Sequence, residues 1–261
     1  MEKDKLTLVK VGGAVVEDND ALRRLLLSFS RIAGPKVLVH GGGRRATLLA
    51  GRLGIESRMV NGRRITDEKM LEVVTMVYGG LVNKQLVARL QALGVNALGL
   101  TGADIDAIRS HRRPERDGID YGFVGDVDQV SAPMLQALLE KGITPVMAPL
   151  THDGQGTLLN TNADTIAAET AKALAAVYDV TLVYTFEKAG VLARPDDEQS
   201  VIPLITRLSF AELVADGTIS GGMIPKIENA LSAIDRGVSR VIITRSDLLN
   251  GQHGTVIRGV S

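Results

Sequence analysis

Short β-branched runs alternate with amphipathic stretches along the whole 261-residue chain, and this alternation narrows the folds open to it. Strand, helix and strand in succession make parallel βαβ units, so the expected class is α/β. Strands are expected at 6–11, 36–39, 96–100, 144–148, 180–185 and 240–244, with 254–257 closing the sheet. Helices are expected at 21–32, 46–53, 132–140, 165–177, 207–216 and 225–236. A longer helical region at 67–93 is expected to break at Gly79-Gly80. Turn residues and alternation over 109–130 predict hairpins covering one side. Turns at 117–129 and 153–156 divide two functional halves rather than two independent domains. Hydrophobic residues make up 45% of the chain but aromatics only 3%, with no Trp, so Leu, Val, Ile and Ala must fill the core.

Several function classes are disfavoured at once. The 30 basic and 30 acidic residues cancel, and no basic block follows the pattern of a nucleic-acid binder. The absence of Cys removes disulfides, thiolate zinc sites and Cys nucleophiles together. Met1-Glu2-Lys3-Asp4-Lys5 has no secretory pattern, and no apolar run reaches membrane-span length. The expectation is a soluble, cytoplasmic protein without nucleic-acid or membrane partners.

The densest polar cluster is Asn160-Thr161-Asn162-Ala163-Asp164, placed just ahead of a helical run. A helix start needs one Asn or Asp to satisfy its free N–H groups. Either Asn162 or Asp164 could serve as that cap. Asn160 and the remaining acid are then surplus to it, which points to an active site.

Other charged residues lie beside glycines. Lys10 ends the first strand on the same side as Leu6 and Leu8 and is followed by Gly12-Gly13. A lysine there is costly unless it snorkels or meets a charged partner. His40-Gly41-Gly42-Gly43 repeats strand, glycines and helix, a layout that offers N–H groups to an anion. His40 is expected to pack or hydrogen-bond at the strand end, not to act as a base. Lys226 sits in the first turn of a helix starting near Pro225, where a cation is unfavourable without an anionic partner. Of Arg63 and Arg64, in Asn61-Gly62-Arg63-Arg64-Ile65-Thr66, one is expected to hold a carboxylate and the other to be surface only. Glycine amides, two lysines, an acid and an arginine together suit phosphoryl transfer, which needs mainly positioning and charge stabilisation.

These segments, with Gly222-Met223-Ile224-Pro225-Lys226, resemble the amino-acid kinase family in family order, most closely its N-acetylglutamate kinase branch. The resemblance implies a three-layer αβα sandwich around an open, mainly parallel sheet of about eight strands, forming one kinase domain. An N-terminal lobe, about 1–160, would bind an acyl-amino acid and dimerise, and a C-terminal lobe, about 161–261, would bind ATP. The implied reaction moves the ATP γ-phosphoryl group to the side-chain carboxylate of an N-acylated glutamate, as in arginine biosynthesis. Lys10 and Lys226 would stabilise the transferring group, and Asp164 would orient them. Gly42, Gly43, Arg64, Asn160 and Asn162 would hold the acyl-amino acid. Gly12, Gly13, Phe186, Gly190, Val191, Leu192, Ile219 and Ser220 would serve the nucleotide. Mg²⁺ would be held mainly by ATP phosphates, with no dedicated protein metal site. A carboxylate is already nucleophilic, so no general base is needed.

The nucleotide loop departs from the family's usual Asp and Gly, reading Thr185-Phe186-Glu187-Lys188-Ala189-Gly190. Ser220-Gly221 is a smaller change. The chain begins almost at its first strand, so the resemblance predicts a homodimer without strong arginine feedback. The Phe186-Glu187-Lys188 loop and the segment 117–126 resemble those of relatives that serve succinylated rather than acetylated intermediates, which leaves the acyl group open; a longer acid would need a cation near the acyl pocket. The alternatives are a carbamate, uridylate, glutamate or aspartate kinase, or a non-catalytic regulatory domain of the same fold.

Overall fold

The structure, a computed structural model, describes residues 3–60, 62–221, 223–249 and 253–259. Met1, Glu2, Asn61 and Gly222, which figure in the segments above, lie outside the described residues. The strands are β1 (Lys5–Val11), β2 (Lys36–His40), β3 (Met59–Val60), β4 (Arg63–Arg64), β5 (Ala97–Leu100), β6 (Ile108–Arg112) and β7 (Gly125–Val130). They continue with β8 (Thr144–Met147), β9 (Leu150–His152), β10 (Leu158–Asn160), β11 (Asp179–Phe186), β12 (Leu204–Ile205), β13 (Arg240–Arg245) and β14 (Thr255–Ile257). The α-helices are α1 (Gly13–Glu17), α2 (Asn19–Ser30), α3 (Gly43–Arg52), α4 (Glu68–Val74), α5 (Asn83–Ala92), α6 (Ala132–Glu140), α7 (Ala163–Leu174), α8 (Arg207–Ala215) and α9 (Met223–Asp235).

Eight strands form the central sheet in the order β12-β14-β13-β11-β1-β2-β8-β5. It is mainly parallel, with β13 and β14 antiparallel. The chain divides into two compact units. One contains the chain up to Lys36 and from Ala167 onward, and the other spans Val37–Ile166. Residues 1–36 therefore fold with the C-terminal stretch rather than with the rest of the N-terminal half. The local cause is the pairing of β1 with β11, from Lys5 opposite Asp179 to Lys10 opposite Tyr184.

In the first unit, α2 shows why sequence pattern becomes packing. Asp18 caps it by accepting from the backbone N–H groups of Asp20 and Ala21. Leu22, Leu25, Leu26 and Phe29 recur at i, i+3, i+4 and i+7 and are all buried. The helix expected to start near Pro225 starts at Met223, which places Lys226 one turn in.

The second unit carries β2, β8 and β5, the four-stranded sheet β10-β9-β6-β7 and the small hairpin of β3 and β4. The antiparallel pairing of β6 with β7 matches the hairpin expected over 109–130. The pair β9 and β10 was not expected. Its tight turn is closed by Asp153, whose carboxylate accepts from the N–H groups of Gln155 and Thr157. The expected break at Gly79-Gly80 is also absent. Between α4 and α5, residues Thr75–Val82 continue as π-helix. A Cβ on Gly79 would lie 3.4 Å from Leu150 and 3.5 Å from Thr101, ordinary contact distances, so packing does not require a glycine there. Among the described residues, no helix is long and apolar enough to cross a membrane.

Candidate active site

The second unit contains a cavity of about 160 Å³, lined by the 41–43 glycines, Met59, Gly62, Arg63, Arg64, Tyr78, Val124, Pro149 and residues 160–163. Three short elements bring these residues together. The end of β2 delivers the glycines, β4 delivers the arginines, and β10 runs into α7 with the Asn cluster.

Arg64 is 6% exposed and firmly held. Its Nη2 donates to the Gly43 carbonyl at 2.8 Å and to Thr47 Oγ1 at 2.9 Å, while Nη1 donates to Ser57 Oγ. Tyr78 is buried beside it. Burial pushes the phenol's pKa up, while the Arg64 charge and hydrogen bond pull against that shift. Gly42 makes room for the ring, since a Cβ there would stand 2.9 Å from Tyr78 Cδ1. Gly43 meets nothing closer than 3.7 Å, so the protein itself does not demand a glycine at that cavity-lining position.

Arg63 is not the surface residue expected of this pair. Its side chain is 23% exposed, and it lines the same cavity. Its pKa is lowered, first by burial and then by the Arg113 charge.

The Asn cluster divides its work in a way that spacing left open. Asn162 is the cap of α7, its Oδ1 accepting from the N–H groups of Asp164 at 2.8 Å and Thr165 at 3.3 Å. Asn160 is buried, and its Nδ2 donates to Thr66 Oγ1 at 3.0 Å. Asp164 sits in the first turn of α7, where the helix dipole favours a carboxylate. His40 is fully buried at the rim of the glycine loop. Its Nδ1 donates to the Gly41 carbonyl at 2.9 Å, and its Nε2 accepts from Asn83 at 3.1 Å. Burial lowers its pKa to about 4, so it is neutral near pH 7 and packs as its strand-end position predicts.

The remaining expected residues lie in the first unit. Lys10 is half-buried at the end of β1, and its carbonyl accepts from Thr185 Oγ1 at 3.0 Å. Gly12 precedes α1 with no protein atom nearer than 3.7 Å to a Cβ position, so packing does not require this glycine. Gly13 is the first residue of α1. Lys226 is exposed, with its Nζ 4.3 Å from the centroid of the Phe186 ring. Gly190 has a packing role, because a Cβ would stand 2.7 Å from Val201 and 2.8 Å from Thr255. Val191 is buried, and its N–H donates to Thr255 Oγ1 at 2.8 Å. Leu192 bridges to Val201. Ile219 is buried, whereas Ser220 is exposed just before α9.

Sequence reasoning missed Tyr78 and the cavity role of Arg63. Tyr78 carries no local signal, since an aromatic residue in an apolar helix reads as core. The clue for Arg63 was its adjacency to Arg64.

Comparison with known proteins agrees with this architecture. The model of the amino acid kinase family matches residues 5–245. An acetylglutamate kinase from Phocaeicola vulgatus is 65% identical over 98% of this chain and 99% of its own length. One from Bacteroides thetaiotaomicron is 63% identical over 98% of this chain and 99% of its own. The crystal structure of smu.665 from Streptococcus mutans superposes with a TM-score of 0.75 at 29% identity, covering 97% of this chain and 98% of that one. With its α/β fold, a family match over nearly its whole length and relatives named acetylglutamate kinase, the chain belongs to the amino acid kinase family.

Proposed function

We propose that this protein transfers the γ-phosphoryl group of ATP to the side-chain carboxylate of an N-acylated L-glutamate, forming an acyl phosphate for amino-acid biosynthesis. The observation that carries this reading is Arg64, a buried guanidinium fixed on the wall of a glycine-rich cavity in a chain 65% identical to an acetylglutamate kinase. A rigid guanidinium suits the α-carboxylate that every N-acylglutamate retains.

In the second unit, Arg64, Asn160 and Asn162 are assigned to the acyl-amino acid, with the Gly42 and Gly43 amides facing developing negative charge. Asp164 is the positioning acid. In the first unit, Lys10 and Lys226 supply the ammonium groups that stabilise the phosphoryl group and the leaving phosphate. Gly12, Gly13, Phe186, Leu192 and Ser220 are assigned to the nucleotide, with Gly190, Val191 and Ile219 shaping its loops from within. Among the described residues, no group of three or more His, Asp or Glu side chains is gathered for a metal. Mg²⁺ is assigned to the ATP phosphates and water, where it would neutralise phosphate charge. A homodimer is part of the same reading.

An ADP-release assay against N-acylglutamates, free glutamate, UMP and carbamate tests the proposal. Turnover is expected only with N-acylglutamates, and Lys10→Ala and Lys226→Ala should each lower kcat by about 10²–10³-fold. Preferential turnover of UMP or carbamate, or near-normal kcat in both lysine variants, would refute it.

A further inference from the structure

Behind the glycine loop of the cavity runs a chain of buried polar contacts that none of the assigned roles uses. His40 closes β2 and is fully buried, whereas Gly41, Gly42 and Gly43 line the cavity. Its Nδ1 lies 2.9 Å from the Gly41 carbonyl, and its Nε2 lies 3.1 Å from Asn83 Nδ2. Asn83 is the first residue of α5 and is 1% exposed. The same Nδ2 donates to the Val146 carbonyl at 2.9 Å.

These contacts fix where the imidazole proton sits. A carbonyl oxygen only accepts, so Val146 must face the NH₂ side of the Asn83 amide rather than its oxygen. That side then also faces His40 Nε2, which must accept. The buried ring is neutral near pH 7 and carries one proton, which is left on Nδ1 against the Gly41 carbonyl. The opposite tautomer would set two donors against each other at Asn83 and two acceptors against each other at Gly41. Asn83 holds its orientation although its Oδ1 is buried with no hydrogen-bond partner among the described residues. Gly99 leaves the space for that oxygen, since a Cβ there would overlap it.

The Gly41 carbonyl belongs to the peptide that also carries the Gly42 N–H. In a planar trans peptide the two groups point in opposite directions. Holding the carbonyl on the imidazole therefore turns the Gly42 N–H away from His40. Gly42 is the residue before α3, so this N–H is among those that a helix start leaves without an internal partner. Glycines flank the peptide on both sides, and no Cβ restrains it from flipping. The His40 contact supplies the missing restraint.

We infer that His40 is a positioning residue for phosphoryl transfer: its Nδ1–H, fixed by Asn83 and Val146, locks the Gly41–Gly42 peptide so that the Gly42 amide meets the charge developing on the transferring group. The inference rests on the N-acylglutamate kinase reading and deepens it by assigning the residues behind the glycine loop. The imidazole touches neither reactant and takes no proton from them.

The amide nitrogen of an asparagine reproduces the position of a histidine Nδ1, and that of a glutamine the position of Nε2. His40→Asn therefore keeps a donor for Gly41, whereas His40→Gln keeps only the contact with Asn83. The variants are assayed with ATP and N-acetyl- or N-succinyl-L-glutamate, whichever the wild type turns over faster. His40→Gln and Asn83→Leu should each lower kcat by about 10–100-fold, because one amide is misdirected rather than deleted. KM for either substrate should change by less than about 3-fold. His40→Asn should recover about 10-fold of the loss seen in His40→Gln. The ¹⁵N spectrum of the wild type at about pH 7 should show His40 as the Nδ1–H tautomer, and Asn83→Leu should populate Nε2–H. That wild-type spectrum needs no variant, so it decides the tautomer whatever the variants' stability. An Nε2–H wild type, equal kcat in the two His40 variants, or a loss carried by KM alone would overturn the inference and leave the kinase reading in place. No turnover of either N-acylglutamate by the wild type would overturn both.

Discussion

Lowering the pH tests the burial of His40. Its ring is fully buried, donates to the Gly41 carbonyl, accepts from Asn83, and has its pKa lowered from 6.5 to about 4 by burial and, less strongly, by the Lys84 charge. An unfolded chain protonates this imidazole near its ordinary pKa, whereas the native protein does not. Between 6.5 and about 4 the unfolded state therefore binds more protons, and stability must fall as pH falls through that window. With about 1.4 kcal/mol per pH unit of mismatch, the loss from about pH 8 to about pH 5 is roughly 2 kcal/mol. The limiting loss at still lower pH is about 3 kcal/mol. Urea unfolding of the wild type and of His40→Asn at matched pH values measures it. The wild-type curve should steepen below its histidine midpoint, and the variant should lose roughly that increment of pH dependence. Identical pH slopes in the two proteins would show that His40 is not held neutral, and the account of the glycine-loop rim would fail.

Other expectations concern the helix and loop that frame the cavity. Asn162→Ala should cost about 1 kcal/mol by uncapping α7, seen as a drop of a few degrees in Tm, whereas Asn162→Asp should retain most of the cap. If the Asp variant melts as low as the Ala variant, Asn162 does not act through its side-chain oxygen. Gly42→Ala places a methyl 2.9 Å from the Tyr78 ring and should destabilise by about 1–3 kcal/mol. Gly43→Ala, with 3.7 Å of clearance, should melt near the wild type and change the KM for the acyl substrate instead. Equal melting temperatures for the two alanine variants would contradict the packing described around Tyr78.

Much of the fold follows from local pattern. The apolar spacing of α2 and the β-branched runs of β1, β11 and β13 can each be read within a short window, because burial of one face is a local property of helix or strand. The surplus of polar groups at 160–164 was equally local, and residues 160–163 line the cavity. The sequence also supplied a cap for α7 but could not choose between Asn162 and Asp164, since each could cap a helix that begins just after it. Only the folded chain decides that the oxygen comes from Asn162.

Tertiary structure alone decides everything that depends on residues distant in sequence. Asn160 meets Thr66 across a separation of 94 positions, and Arg63 meets Arg113 and Asp126 through the seating of a loop on β4. The order of the eight strands, the union of residues 1–36 with the C-terminal stretch and the unbroken helix through Gly79-Gly80 are likewise fixed by packing partners. Spacing along a chain records which face a side chain takes on its own element. It carries no record of which other element will cover that face, and that choice determines whether an arginine ends in water or on the wall of a cavity.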